Sequence, residues 1–169
     1  MRELRRLSLI AVLLLTCVGC DQGSKHVIRA HTEVGFSQSF FGDALRISHV
    51  ENPGAFLSLG AELSPFARVL AFQFGVASLV LTLLAYASLA RGLTAWQVTG
   101  LTLLAASGLG NLLDRLLRDG RVTDFINVGL GQLRTGIFNV ADVIGVLGAC
   151  ILLIKAHETS AEEGRRNAT

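Results

Sequence analysis

Two aspartates are the side chains best suited to chemistry in this sequence of 169 residues. Asp124 and Asp142 each lie among apolar residues, in the stretches VTDFI and NVADVI. Two carboxylates that converge in a poorly hydrated site cannot both be ionised, so the pKa of one rises and the pair shares a proton. The charged carboxylate can then act as a general base on water while the protonated one polarises a carbonyl group. This hydrolytic chemistry needs no metal ion and no covalent intermediate, and the sequence predicts no cofactor.

Other polar residues recur near the ends of apolar segments, where their default interpretation is functional because polar groups at membrane depth are costly. These residues are Asp21, Lys25, Asn52, Asn111, Asp114, Arg115 and Asn139. Asp21 has a cation, Lys25, four residues further on. Asp114 is followed directly by Arg115. Both aspartates are therefore interpreted as ionised structural partners, which leaves Asp124 and Asp142 as the reactive pair.

The composition places this chemistry in a membrane. Hydrophobic residues make up 51% of the chain and charged residues 17%, whereas soluble domains have about 25% charged residues. A net charge of +2 with scattered arginines provides no basic surface for nucleic acid. The 4 histidines lack the spacing of metal ligands. The sequence therefore predicts a small integral membrane protein that binds neither nucleic acid nor a metal ion.

Four helices must position the polar residues, because a membrane-spanning helix needs about 20 mainly apolar residues. We predict helix one at about residues 7–28, helix two at about 66–90, helix three at about 93–115 and helix four at about 137–155. A polar tail at about 157–169 is predicted to be disordered. The predicted fold class is a single membrane all-α domain, 1–169, with a small β element.

Two segments between the helices lie on the same side of the membrane as the polar residues. The segment at about 29–64 alternates apolar and polar residues, which predicts short strands, and Asn52-Pro53-Gly54 predicts a tight turn. The segment at about 116–136 is predicted to be a loop with one extended piece at 122–128. Arginines at the N-terminus place both chain ends in the cytoplasm, so these segments lie outside.

The N-terminus and the fourth helix each allow a different function. A basic start, an apolar run and Gly19-Cys20 are typical of a bacterial lipoprotein signal, so a non-enzymatic lipoprotein modified at Cys20 is one alternative. The interpretation that we favour continues the first helix through Cys20 to Ile28. A small ion-coupled transporter that uses Asp142 is a further alternative.

Five short motifs follow one another along the chain, namely DQGSK at 21–25, ENPGAF at 51–56, GNLLDR at 110–115, VTDFI at 122–126 and FNVAD at 138–142. In this order they resemble the motifs of bacterial lipoprotein signal peptidase, also called signal peptidase II. The resemblance covers about residues 7–155. It implies a four-helix aspartic peptidase of the bacterial inner membrane, with an extracytoplasmic β-cradle and an active site at the periplasmic face. Such an enzyme cleaves prolipoproteins just before the diacylglyceryl-modified cysteine.

The resemblance also implies roles for individual residues. Asp124 and Asp142 match the catalytic pair, while Asp21 and Lys25 match the first-helix motif. The positions that match residues orienting the substrate and the catalytic pair are Asn52, Gly54, Asn111, Arg115 and Asn139.

The implied partners are diacylglyceryl-modified prolipoproteins and membrane lipids, and a monomer is the expected state. One departure from the family pattern is visible after Pro53. There, Gly54-Ala55-Phe56 brings the aromatic residue one place early, which leaves the contacts of the cradle open but does not affect the two aspartates.

Overall fold

The computed structural model describes residues 3–54 and 62–167. Within these ranges the chain forms five α-helices, one π-helical segment and four strands. The helices are α1 (Glu3–His31), α2 (Pro65–Val69), α3 (Val76–Leu89), α4 (Ala95–Leu117) and α5 (Val140–Asn167), with the π-helical segment at Leu70–Gly75. The strands are β1 (Ser37–Phe40), β2 (Leu45–Asn52), β3 (Val122–Leu130) and β4 (Leu133–Arg134).

Three stretches of helix in the described residues are long and apolar enough to cross a membrane, namely Glu3–His31, Phe66–Leu89 and Val140–Glu158. The fold is therefore mostly helical and fits a multi-pass membrane protein, as the sequence predicted. Helix α4 differs from these three because ten of its residues are buried. It packs against α1, α3 and α5, so it is the central helix of the bundle.

Small residues bring α4 and α5 into close contact. A Cβ atom added to Gly100 would lie 2.7 Å from the Leu152 side chain and 3.0 Å from the Gly148 carbonyl oxygen. A Cβ atom added to Gly145 would lie 2.6 Å from the Ser107 hydroxyl. Glycine at these positions lets the two backbones approach, as in other membrane helix pairs. The helix that carries Asp142 is thus fixed directly against the helix that carries Asn111.

Helix two and helix four differ from the sequence prediction. Helix two, predicted at 66–90 as one element, consists of α2, the π-helical segment and α3. Ser64 caps its start, with its hydroxyl accepting a hydrogen bond from the Ala67 N–H, and a proline occupies the first turn. The π-helical segment places the Phe72 ring 5.4 Å from the guanidinium carbon of Arg115.

Helix four is longer than predicted, because α5 continues to Asn167. It therefore includes most of the tail that was predicted to be disordered. The residues after the membrane segment, AHETSAEEGRRN, include alanine, glutamate and arginine, which favour helix. Lys155 donates to Glu158 at 2.5 Å, one turn further on. The polar residues therefore end the apolar segment of α5, but the helix itself continues through them.

The β element combines both segments that the sequence treated separately. All neighbouring strands are antiparallel, in the order β1-β2-β3-β4. Strand β2 comes from the first segment and β3 from the second, and their register pairs Asn52 with Val122 and Val50 with Asp124. Side chains two residues apart share a face of a sheet. Asn52 and Asp124 therefore lie diagonally on the same face.

Candidate active site

Asp124 is held by two asparagine side chains. Its carboxylate accepts hydrogen bonds from Nδ2 of Asn52 at 2.9 Å and from Nδ2 of Asn139 at 2.6 Å. Asn139 reaches this position because Phe138 and Ile126 exchange backbone hydrogen bonds, at 2.8 and 2.9 Å. This pairing fixes the residues before α5 against β3. Asp124 is only 4% exposed, so its carboxylate is almost fully removed from solvent.

Asp142 lies in the first turn of α5 and is held by Asn139 and Asn111. The Asn139 backbone N–H donates to the Asp142 carboxylate at 3.0 Å, and the Asp142 backbone N–H donates to Oδ1 of Asn139 at 3.1 Å. This reciprocal arrangement is a capping box in which Asn and Asp replace the usual Ser and Glu. The other Asp142 oxygen accepts from Nδ2 of Asn111 at 3.1 Å. Asn139 thus contacts both aspartates.

The three asparagine amides have only one orientation that satisfies their partners. Oδ1 of Asn52 accepts from the Gly54 backbone N–H at 2.9 Å. Oδ1 of Asn111 accepts from Nζ of Lys25 at 2.8 Å, and an ammonium group can only donate. Oδ1 of Asn139 is occupied by a backbone N–H, as described above. Each amide must therefore present its NH₂ group to a carboxylate.

Lys25 is the centre of a buried ion cluster that supports this arrangement. Its Nζ lies 2.9 Å from Asp21 Oδ2 and 3.1 Å from Asp114 Oδ2. The Lys25 side chain is 0% exposed and both carboxylates are 1% exposed. Together with Asn111, these oxygens provide one acceptor for each of the three ammonium protons. The buried charge is therefore fully hydrogen-bonded, as such groups must be.

The same two carboxylates also bind the backbone where α5 and β3 begin. Asp21 accepts from the Ala141 N–H at 2.9 Å, and Asp114 accepts from the Thr123 N–H at 3.3 Å. Ala141 directly precedes Asp142, and Thr123 directly precedes Asp124. The ion cluster therefore fixes both strongly buried backbone segments from which the two aspartates project.

Arg115 lies beside the same pocket as the two aspartates. Its Nη2 donates to the Gly54 carbonyl oxygen at 2.8 Å, and its Nη1 donates to the Asn111 carbonyl oxygen at 3.3 Å. The guanidinium also lies over the Phe72 ring. Arg115 thereby joins the turn that follows β2 to α4 and to the π-helical segment.

Both predicted catalytic aspartates line one small pocket, together with four of the residues predicted to orient them. Its lining consists of Asn52, Asn111, Arg115, Val122, Asp124, Asn139 and Asp142. The cavity volume is about 10 Å³, which is close to the least that can hold a single water molecule. Burial raises the pKa of Asp124 to about 6, and the charge of Asp142 adds to this rise, although the Asn52 and Asn139 amides oppose it. This pocket can therefore hold one water molecule beside a carboxyl group that keeps its proton to near-neutral pH.

Most of the predicted site residues thus meet, and one predicted pairing is wrong. The ion pair between Asp21 and Lys25 is present. Asp114, however, pairs with Lys25 and with Arg29, at 3.1 and 3.5 Å, and not with Arg115. Neighbouring residues on a helix point in different directions, so the adjacent arginine was the wrong partner. The predicted departure at Phe56 lies outside the described residues.

Arg29 takes part in a second set of polar contacts, which was not predicted from the sequence. Nη1 of Arg29 donates to Oγ1 of Thr123 at 3.0 Å, and Thr123 donates to Glu51 at 3.0 Å. Arg29 follows Lys25 by four residues, as Lys25 follows Asp21. This repeat places all three charges on one face of α1 and is the signal that could have identified Arg29. In the part of the chain that the structure describes, no group of three His, Cys, Asp or Glu side chains is arranged as metal ligands.

Comparison with known proteins identifies the family. Residues 13–157 match the family described as signal peptidase (SPase) II. The lipoprotein signal peptidase of Borrelia hermsii is 30% identical over 152 residues, which cover 87% of each chain. That of Streptococcus pneumoniae is 31% identical over 153 residues, covering 89% of this chain and 94% of the relative.

A solved structure described as a bacterial membrane enzyme, obtained by the in meso method at 2.3 Å resolution, has the same fold. Its TM-score is 0.79, with 25% sequence identity over 90% of both chains. The resemblance predicted from the five motifs is confirmed. Because the family match spans most of the sequence and a relative is 30% identical over 87% of both chains, the chain belongs to the signal peptidase II family.

Proposed function

We propose that this protein is an aspartic endopeptidase that removes signal peptides from prolipoproteins, cleaving before the diacylglyceryl-modified cysteine. The observation that carries the proposal is the arrangement of Asp124 and Asp142 around Asn139 in a pocket with room for one water molecule. The names of the relatives and the family match support the substrate class.

In this proposal the two aspartates have different tasks. Asp142 is the general base, because it lies in the first turn of α5, where the helix N-terminus favours its negative charge. Asp124 is the protonated partner, in keeping with its raised pKa, and it donates to the carbonyl oxygen of the scissile bond. Water attacks that carbonyl carbon, Asp142 accepts the proton from water, and the pair returns a proton to the leaving amine.

The surrounding polar groups orient the pair and the substrate. Asn52, Asn111 and Asn139 fix the two carboxylates through the amide hydrogen bonds described above. Arg115 holds the Gly54 carbonyl, and this turn adjoins the pocket, so both residues are placed to contact the substrate backbone. Asp21, Lys25 and Asp114 act through the residues that they support.

We also propose that α4 is a fourth membrane span and that both chain ends lie in the cytoplasm. The protein is then a monomer in the bacterial inner membrane, with its active site at the periplasmic face. Exposed aromatic side chains at the end of β1 and in the turn after it, Phe40 at 38% and Phe41 at 82%, favour contact of the cradle with membrane lipids. This topology brings the site to the depth at which a lipid-modified cysteine meets the membrane surface.

The test is cleavage of a synthetic diacylglyceryl prolipoprotein by the purified enzyme in detergent. We expect the Asp124→Asn and Asp142→Asn variants each to lose at least about a thousandfold in rate, as members of catalytic pairs do. Glu33→Gln, which changes an exposed carboxylate, should cleave at the normal rate. Thermal midpoints should be similar in all four proteins, so that the loss is chemical.

Normal turnover by either aspartate variant would contradict the mechanism. Absence of cleavage by the unmodified enzyme, together with pH-driven ion flux in vesicles, would favour a transporter. An intact mass that lacks the first 19 residues of the sequence would favour a lipoprotein modified at Cys20. Against that alternative, α1 runs unbroken through Cys20, and Asp21 and Lys25 beyond it are buried.

A further inference from the structure

The sheet carries a second polar cluster on the face that points away from Asp124. The register pairs Val50 with Asp124 and Glu51 with Thr123. Directly paired residues share a face of a sheet, whereas neighbouring residues on one strand point to opposite faces. Glu51 and Thr123 therefore lie on the back face of the strand pair whose front face presents Asn52 and Asp124. The Thr123 hydroxyl donates to the Glu51 carboxylate there at 3.0 Å.

The direction of the hydrogen bonds at the Thr123 hydroxyl is fixed by its partners. The hydroxyl oxygen accepts from Nη1 of Arg29 at 3.0 Å, and a guanidinium group can only donate. The single hydroxyl hydrogen is therefore available to the Glu51 carboxylate. Because Thr123 is 0% exposed, bulk water does not compete for either contact. The hydroxyl thus connects Arg29, near the end of α1, with the last residues of β2.

A β-bulge adds His49 to the same cluster. The pairing of β2 with β3 shifts by one residue between Ile47 and Val50, and bulges of this kind re-aim side chains. His49 is buried, and its Nε2 lies 3.2 Å from Oε1 of Glu51. Its Nδ1 lies 3.1 Å from the Thr32 carbonyl oxygen, which can only accept, so Nδ1 carries a hydrogen. Strand β2 is therefore attached to the chain just after α1 as well as to β3.

These contacts are important because the strand pair ends beside the candidate active site. Asn52 is the last residue of β2 and pairs with Val122, the first residue of β3. Terminal segments open more easily than the interior of a fold, and cross-strand side-chain contacts oppose such opening. The hydrogen bond between Thr123 and Glu51 lies one residue inside this end, on the back face. It is therefore placed to keep the Asn52 amide 2.9 Å from the Asp124 carboxylate on the front face.

We propose that Thr123 and Glu51 are positioning residues for the cleavage reaction, which hold Asn52 against Asp124. They do not contact the reacting atoms themselves, and they act through the Asn52 amide, which stabilises the ionised carboxylate of Asp124. Arg29 contributes by directing the Thr123 hydroxyl towards Glu51. The inference rests on the proposed function, because it assigns a role in cleavage to side chains behind the catalytic pair.

The test measures the kcat/KM of the purified enzyme against pH, with a synthetic diacylglyceryl prolipoprotein as substrate. Thr123→Val keeps the size of the buried side chain but removes its hydroxyl. Because Asn52 is then held less firmly, the fall of kcat/KM should occur about half a pH unit higher. We also expect kcat to drop about threefold and KM to change less than about twofold. Thr123→Ser, which keeps the hydroxyl, should restore both kcat and the pH dependence.

A double variant distinguishes an effect through Asn52 from a direct effect on Asp124. In an Asn52→Ala background the contact that Thr123 supports is already absent. Adding Thr123→Val should therefore shift the pH dependence no further. Glu51→Leu removes the acceptor of the same hydrogen bond and should shift the pH dependence in the same direction as Thr123→Val, so the test does not depend on one variant folding.

Thr102→Val is the matched control. The Thr102 hydroxyl is also fully buried, and it donates to the Val98 carbonyl oxygen within α4 at 2.7 Å. This variant should have a thermal midpoint similar to that of Thr123→Val, but with the normal kcat and pH dependence. Thr123→Val itself changes none of the charges near Asp124, which are those of Asp142, Lys25 and Arg115.

An unchanged pH dependence in Thr123→Val and Glu51→Leu would overturn this inference while leaving the proposed function intact. The same conclusion follows if Thr123→Val causes an equal further shift in the Asn52→Ala background, or if Thr123→Ser behaves like Thr123→Val. If the unmodified enzyme does not cleave the substrate at any pH, the proposed function itself fails.

Discussion

The two ends of the helical bundle use charged residues in opposite ways. At the end that carries Asp124 and Asp142, Lys25 and its carboxylate partners are almost completely buried. At the opposite end, Arg6 caps a neighbouring helix, donating from Nε to the Ala87 carbonyl oxygen at 2.5 Å and from Nη1 to the Ala90 carbonyl oxygen at 2.7 Å. Arg6 completes the hydrogen bonding of a helix terminus, whereas the buried cluster determines how side chains are oriented.

This difference indicates why buried charges are present at one end. Burying an ion pair costs desolvation energy that its attraction often does not recover, so such pairs are weak evidence for stability. Lys25, however, is one of two donors to the Asn111 amide oxygen, together with Nδ2 of Asn139, and the NH₂ group of that amide contacts Asp142. We therefore expect substitutions at the first end to change activity, and substitutions at the other end to change only stability.

The largest effect is expected for Lys25→Met. Removing the ammonium leaves two buried carboxylates with less compensation, which costs about 3–5 kcal/mol of unfolding free energy. Asn111 also loses the charged one of the two donors to its oxygen and keeps only Nδ2 of Asn139 at 3.1 Å, so its amide is held less firmly against Asp142. We expect at least about a hundredfold loss of cleavage rate and a lower thermal midpoint in detergent.

Two control variants separate these contributions. Lys155→Met, near the end of the membrane segment of α5, should keep the normal rate. Adding Asp21→Asn to Lys25→Met removes one charge of each sign and should recover the thermal midpoint more than the rate. Full recovery of the rate would show that Lys25 does not orient Asn111.

The next effect concerns the close approach of α1 and α4. A Cβ atom at Gly110 would lie 2.6 Å from Oδ2 of Asp21, so Gly110→Ala must displace the carboxylate that holds the start of α5. We expect about a tenfold loss of rate, since small displacements of reacting groups have effects of this size or larger. Gly19→Ala, where a Cβ meets nothing within 4 Å, should be neutral. Equal rates for the two variants would contradict the role of Asp21.

A smaller and more specific effect is expected for Asn52→Ala. If Asp124 acts in its protonated form, kcat/KM falls as pH rises through its pKa of about 6. The Asn52 amide stabilises the ionised carboxylate and so lowers that pKa. Loss of the Asn52 amide should raise the pKa of Asp124. The fall of kcat/KM should then occur at a pH about one unit higher. Asn127→Ala, on the β3 strand that carries Asp124, should leave the pH dependence of kcat/KM unchanged. A shift to lower pH for Asn52→Ala would contradict our assignment of the proton.

The smallest effect is expected for Arg6→Gln at the opposite end. Loss of the cap on α3 should cost about 1 kcal/mol of unfolding free energy, measured as a lower thermal midpoint in detergent. The cleavage rate at a temperature well below that midpoint should not change. A fall in rate as large as that of Gly110→Ala would remove the distinction between the two ends.

The sequence predicted the chemistry of the site better than the geometry of the fold. The two aspartates and their asparagines were identifiable because each occupies a short motif with restricted spacing. The pairing of Asp114 with Lys25 and Arg29 could not be predicted, because it depends on how two helices distant in sequence are rotated against each other. The π-helical segment within helix two has no local signal in composition, since its residues are as apolar as those on either side.

The strand pairing shows the same limit. Alternation predicted an extended piece at 122–128, but only the folded chain pairs it with β2 and brings Asn52 beside Asp124. Such pairing joins residues separated by 72 positions, and local patterns contain no information at that distance. Motif spacing therefore predicts which residues belong to a site, while tertiary packing determines which of them touch.

The spacing of Asp21 and Lys25 within α1 also affects how the protein is made. This helix is synthesised and inserted before α4 exists, so neither Asp114 nor Asn111 can yet accept from the ammonium group. A carboxylate one turn away on the same helix neutralises it, which lowers the cost of placing a lone cation in the hydrocarbon. The first segment can therefore partition into the bilayer as it leaves the ribosome, and the later helix then joins a pair that is already formed.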